Sequence, residues 1–222
     1  MANELKGRSL LTLLDYSQRE IRELLNLSHQ VKGERRSGKR HRRFTGYSMA
    51  MLFEKRSTRT RSAFETAFGE EGGHPVFLSQ QDIQLGAKET LEDTARVLGR
   101  MFDIVEFRGF EQRTVEILAE HSGVPVVNGL TDVYHPTQAL ADIMTLEEQT
   151  GSLHGASLSF VGDGRNNVAN SLMIICAKTG VDYYVACPKD LSPGPEFLEI
   201  GKRLAEESGS SVNVYHDIND LP

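Results

Sequence analysis

The stretch YSMAMLFEKRSTRTRSAFETAFGEEGG, residues 47–73, decides the reading of the fold. Tyr47–Glu54 is apolar at both alternating sets of positions, as a strand buried on both faces of a parallel sheet must be. Thr60–Glu71 then follows helical spacing, and Gly72-Gly73 closes it. Between the two lies FEKRSTRTR, residues 53–61, in which Ser57, Thr58, Arg59, Thr60 and Arg61 stand in one unbroken run. A strand that passes through a polar loop into a helix is the repeating element of α/β sheets, whose ligands bind beyond the carboxyl ends of the strands. Ser57–Arg61 occupies that place, where the amides of a helix N-terminus point outward. Its amides, hydroxyls and paired guanidiniums suit a tetrahedral dianion, because the planar fork of arginine meets phosphate oxygens in pairs. Helix capping needs a single hydroxyl, so it leaves the other two and both arginines unexplained. The GxxxxGK[ST] spacing of a P-loop is absent.

The same alternation extends in both directions. Upstream, Ser17 and Glu20 have the spacing of a capping box, and Ile21, Leu24, Leu25, Ser28 and Val31 mark one helical face. The basic run KGERRSGKRHRR, residues 32–43, reads as a solvated loop balanced by nearby acids; no aromatic residues interleave as a nucleic-acid arm would require. Downstream, strands are expected at His74–Ser79, Asp103–Phe107 and Val124–Asn128, with helices at Thr90–Phe102, Glu111–His121 and Ala139–Gln149. TGSLHG, residues 150–155, looks like a junction, after which strands at Ser157–Val161, Tyr183–Ala186 and Ser211–His216 alternate with helices at Asn167–Lys178 and Pro195–Glu207. The fold class is α/β, with two doubly wound parallel-sheet domains, residues 1–150 and 151–222, the second incomplete. In such a sheet the first strand is normally central, so Ser157–Val161 is expected to keep one edge open.

Composition narrows the partners. Of 222 residues, 25 are Lys or Arg and 31 are Asp or Glu, a net charge of −6 that argues against general binding to nucleic acid or anionic membranes. Two cysteines, Cys176 and Cys187, cannot build a disulfide framework, which fits a reducing cytoplasm. The N-terminus lacks the pattern of a signal peptide, and no apolar window reaches the length of a transmembrane helix. No metal-ligand spacing is present, so neither metal nor cofactor is expected.

Two further sets of donors follow strands. Arg108 comes directly after DIVEF, and His135, Pro136, Thr137 and Gln138 come after VPVVN and its loop. Singly, each is an ordinary surface or capping residue, but three donor sets at three strand ends converge on a site. GDGRNN, residues 162–167, also follows a strand and opens a helix. As a dinucleotide fingerprint it fails, because Asn167 replaces the third glycine and the next strand ends in VACPKD without the ribose-binding acid.

STRTR, the loop DIQLGAKETLEDTARVLGRMFD, Arg108 in EFRGF and HPTQALAD together resemble the carbamoyl-phosphate half of the carbamoyltransferases, and GDGRNN is the pattern of their ornithine branch. The resemblance covers essentially the whole chain. It implies a cofactor-free transfer of the carbamoyl group from carbamoyl phosphate to the δ-amine of L-ornithine, giving citrulline and phosphate, in a homotrimer active in arginine metabolism. It assigns Ser57, Thr58, Arg59, Thr60 and Arg61 to the phosphate, and Gln84 to the phosphate of a neighbouring subunit. Arg108, His135 and Thr60 would hold the carbonyl oxygen, Gln138 the carbamoyl nitrogen within HPTQ (His135, Pro136, Thr137, Gln138), and Asn167 the amino-acid end of ornithine. The family's Asp-x-x-x-Ser-Met-Gly and His-Cys-Leu-Pro segments do not occur in this chain, which stops at HDINDLP. The expectation is therefore a fragment without turnover of its own. The other open readings are a non-catalytic module for carbamoyl phosphate or phosphate, and a carbamoyltransferase for another amine or amino acid.

Overall fold

In a computed structural model that describes residues 5–82 and 89–222, all the named strands pair in parallel. The described residues up to Leu11 and those from Lys32 to Asp132 gather into one compact unit; Thr12–Val31 and Val133–Pro222 gather into a second.

In the first unit β1 (Ser48–Phe53), β2 (His74–Ser79), β3 (Ile104–Arg108) and β4 (Val126–Leu130) form a sheet in the order β2-β1-β3-β4. The side chains of β1 alternate between two cores. Ala50 and Leu52 join Val105, Phe107 and Val126 against α3 (Leu91–Met101) and α4 (Gln112–Ser122). Met49, Met51 and Phe53 face the other way, against Phe64 and Phe68 of α2 (Thr58–Glu70). Helices cover both faces, which is the doubly wound arrangement the apolar strands require. Leu10 pairs alongside Val127 and covers the outer edge of β4.

In the second unit β5 (Ser157–Val161), β6 (Asp182–Ala186) and β7 (Val212–Tyr215) follow in sequence order, with α6 (Asn167–Thr179) and α7 (Pro195–Ser208) as crossovers. As expected, β5 pairs on one side only, and Val161 at its end is 58% exposed. Almost every residue of α6 is buried. Its Lys178 turns inward and donates to the carbonyls of Leu13, Leu14 and Tyr16 at 2.9, 2.7 and 2.5 Å, tying down the turn that precedes α1 (Gln18–Arg36).

Element ends differ from expectation for local reasons. α1 runs on through Arg36, into the basic run, where Arg35 pairs with Glu70 and Arg43 with Glu34 and Glu71. α5 (Pro136–Thr150) begins at the proline rather than at Ala139, since proline suits the first helical position. β4 continues through Gly129 to Leu130, and Arg108 closes β3 instead of following it. Among the described residues no helix is long and apolar enough to cross a membrane.

Candidate active site

β1 lies between two neighbours, and its carboxyl end feeds straight into α2. Ser57 caps that helix from an extended backbone, its hydroxyl accepting from the Thr60 amide at 3.1 Å. One hydroxyl is thereby spent on capping, while Thr58 and Arg59 stay exposed in the first turn at the positive end of the helix dipole. The registry of β1 with β3 sets Phe53 opposite Arg108, so both strands finish level. Arg108 reaches across with Nη1, donating to the Thr60 hydroxyl at 3.1 Å and, more weakly, to the Gly129 carbonyl at 3.5 Å. Ser57, Thr58, Arg59, Thr60 and Arg108 are thus assembled on one rim of the first sheet. Burial pulls the Arg108 pKa down, Glu106 opposes this, and the nearby Arg59 charge adds to it. Arg59 and Arg108 thus put two positive charges near one another at this rim, an arrangement that favours an anion.

Arg61 is engaged otherwise. Its guanidinium carbon lies 3.6 Å from the centre of the Phe77 ring, and Nε donates to Glu65 at 3.3 Å. Glu54 holds the turn after β3: its Oε2 accepts from the Phe110 amide at 3.2 Å, and burial pushes its carboxyl up. Beside it Lys55 stands 3.5 Å from Asp132 and 5.3 Å from the centre of the Phe110 ring. Sequence reading passed over Glu54 and also Glu106, a wholly buried carboxyl in mid-strand. The signal was available, since an acid inside DIVEFR has no place in a two-faced apolar strand.

In the second unit His135 is the N-cap residue of α5, with Pro136, Thr137 and Gln138 forming its first turn. His135 is buried; its amide donates to Ser171 at 2.8 Å, and Thr137 stands 3.4 Å from its Nδ1. Gln138 is exposed and donates to Asp142 at 2.8 Å. Asn167 opens α6, where its carbonyl accepts from Ser171 at 2.8 Å. The Ser171 hydroxyl therefore bridges the backbone at the start of α5 to the backbone at the start of α6. Asn166 supplies the cap, accepting from the Val168 amide at 2.8 Å. Within GDGRNN, Arg165 folds back on Asp163 at 3.0 and 3.1 Å and holds its carboxyl below the usual range. Gly164 is required for contact: an added Cβ would lie 2.7 Å from Pro193 Cδ and 2.9 Å from the Leu191 carbonyl. The space over this turn is filled by the loop after β6.

Gln84 lies outside the described residues. Among the described residues no three His, Cys, Asp or Glu side chains are grouped to hold a metal ion.

Comparison with known proteins bears on this geometry. Residues 8–148 match the family model "Aspartate/ornithine carbamoyltransferase, carbamoyl-P binding domain", and residues 154–221 match "Aspartate/ornithine carbamoyltransferase, Asp/Orn binding domain". An ornithine carbamoyltransferase of Caldanaerobacter subterraneus is 65% identical over 214 residues, covering 96% of this chain and 68% of that protein. One of Thermotoga maritima is 60% identical over 220 residues, 99% of this chain and 70% of the relative. A solved structure of an ornithine carbamoyltransferase from Pyrococcus furiosus superposes with a TM-score of 0.94 at 46% identity, over 96% of this chain and 68% of its own. The chain belongs to the aspartate/ornithine carbamoyltransferase family, enzymes that transfer a carbamoyl group.

Proposed function

We propose that the chain serves the transfer of a carbamoyl group from carbamoyl phosphate to the δ-amine of L-ornithine, producing citrulline and phosphate. The observation that carries this reading is the Arg108–Thr60 bond of 3.1 Å at the mouth of α2, which binds the anion-receptor turn to the end of the adjacent strand. A phosphate set on the Thr58 and Arg59 amides would bring its carbamoyl oxygen toward Arg108. In the reaction the neutral δ-amine attacks the carbamoyl carbon, a C–N bond forms, the C–O bond to phosphate breaks with its electron pair leaving on phosphate, and the proton lost by the amine is carried off by that phosphate. Negative charge gathers on the carbonyl oxygen as this happens. Donors fixed in advance and screened from water stabilise that charge most. We assign that oxygen to Arg108, Thr60 and His135, the carbamoyl nitrogen to Gln138, and the amino-acid end of ornithine to Asn167.

We carry over from the resemblance a homotrimer in which Gln84 serves a neighbouring subunit, a cytoplasmic setting, and a division of labour near residue 150. The ornithine preference is supported by the names of the relatives and by GDGRNN. Calorimetry with carbamoyl phosphate, followed by an assay offering ornithine and aspartate in parallel to the protein extended to its relatives' full length, tests the assignment. Citrulline as the product is expected. Carbamoyl aspartate in its place, or no binding of carbamoyl phosphate, overturns it.

A further inference from the structure

β3 carries a group for which the proposed reaction has no use. Glu106 lies two residues before Arg108, so the two side chains leave the strand on the same face. Glu106 is 0% exposed, and neither carboxyl oxygen has a hydrogen-bond partner. Its neighbours in register, Met51 on β1 and Val127 on β4, offer only apolar side chains. Oε1 packs on Gly129, where an added Cβ would stand 1.8 Å away. The carbonyl of the same Gly129 is 3.5 Å from Arg108 Nη1, so one glycine receives both groups. Arg108 Nε is buried and likewise unpartnered. An ionised carboxylate beside a guanidinium normally closes a paired, charge-assisted bond. Here that pair is open, and Arg108 spends Nη1 on Thr60 instead.

We propose that Glu106 is a positioning residue for Arg108: as a neutral acid packed on Gly129 it leaves the guanidinium charge to the substrate oxygen, and as a carboxylate it draws the guanidinium back and cancels that charge. The role rests on Arg108 facing the substrate, as argued above. Burial supports the neutral form, holding the Glu106 carboxyl well above the ordinary carboxylate range, with the Arg108 charge opposing only in part. The charged groups around this pair are few. Arg108 stands on the same strand, Arg59 acts on Arg108 from α2, and Glu54 at the end of β1 is held by the Phe110 amide. β4 presents only Val127 and Gly129 on this side. A leucine would fill the same volume but could not respond to protons. Glu106 therefore gives the anion site an internal response to alkali that no surface group supplies.

The test measures the carbamoyl phosphate Kd by calorimetry between about pH 6 and about pH 9 for the native chain and for Glu106→Gln, which preserves shape and folding. Across that span the native chain is expected to lose about tenfold more affinity than the variant, the change that one unit of proton linkage brings. Infrared spectroscopy supplies an arm independent of substrate: a protonated-carboxyl band present in the native chain, bleached by alkali and missing from Glu106→Gln. Equal pH profiles in the two proteins, or no such band, overturn the role of Glu106 alone. No binding to the native chain at any pH overturns the substrate reading of Arg108, and this role with it.

Discussion

The Nη1 of Arg108 donates to the hydroxyl of Thr60 at 3.1 Å, joining the last residue of β3 to the first turn of α2. Thr60 has a double task, since its amide also satisfies the Ser57 cap at 3.1 Å. Cap, helix start and guanidinium are thereby locked in one geometry before any ligand arrives.

Removing the hydroxyl while keeping the shape isolates that lock. Thr60→Val is expected to weaken carbamoyl phosphate binding by roughly 1.5–3 kcal/mol, the range for a hydrogen bond to a charged group, and Thr60→Ser should restore most of it. Calorimetry reads both. A valine variant that binds like the native chain would show the Arg108 bond to be incidental.

The two arginines of STRTR are expected to part company. Arg59 is exposed in the first turn of α2, whereas Arg61 is occupied by Phe77 and Glu65. Arg59→Ala should lose on the order of tenfold to a hundredfold in carbamoyl phosphate affinity, and Arg61→Ala several times less. The ratio of the two Kd changes decides. Equal losses would mean that Arg61 leaves Phe77 when ligand binds.

His135→Ala should depress turnover by about 10²–10³ while shifting the Kd for carbamoyl phosphate far less, because its assigned oxygen gains charge only as attack proceeds. Steady-state kcat on the protein extended to its relatives' full length, set beside calorimetry, separates the effects. Lost affinity with preserved kcat would reverse the roles.

Glu106 also has a signature in stability. Burial raises its folded pKa above the unfolded value, so between the two values the folded chain holds a proton that the unfolded chain has released. That contribution is whole below the unfolded carboxylate pKa and declines as pH rises toward the folded one. Thermal melts at rising pH should therefore fall for the native chain and stay flatter for Glu106→Gln. Parallel curves would place the proton elsewhere.

Lys178→Met should cost about 3 kcal/mol or more of folding stability, because it strands the carbonyls of Leu13, Leu14 and Tyr16 that the ammonium now satisfies. Urea unfolding provides the number. A change below about 1 kcal/mol would mean that water takes over the three carbonyls.

Much of this was readable in the chain, and the misses have physical causes. β1, β2 and β5 declare themselves by apolar runs between turn residues, and β2 and β5 carry the expected bounds. Ser57–Thr60 and Arg108 come to one rim because parallel strands in register end together, which a sequence can imply. Gly129 hid the end of β4, since a glycine in a strand reads as a break until its contact with Glu106 is known. Glu106 stands out in the chain as an acid among apolar neighbours, but its complete burial does not, because periodicity counts polarity and does not weigh burial. The posture of Arg61 in α2 depended on Phe77 of β2, sixteen positions along the chain, beyond what local spacing conveys.

The lysine of α6 also imposes an order in time. Its carbonyl partners at Leu13, Leu14 and Tyr16 precede it by more than 160 positions, so they leave the ribosome long before Lys178 exists. Lys32–Asp132 can close its four-stranded sheet in that interval, while Thr12–Val31, destined for the later unit, must wait unclaimed. Nascent chains halted before and after α6 should therefore differ in how readily a protease cuts near Leu14, protection arriving only once Lys178 has emerged.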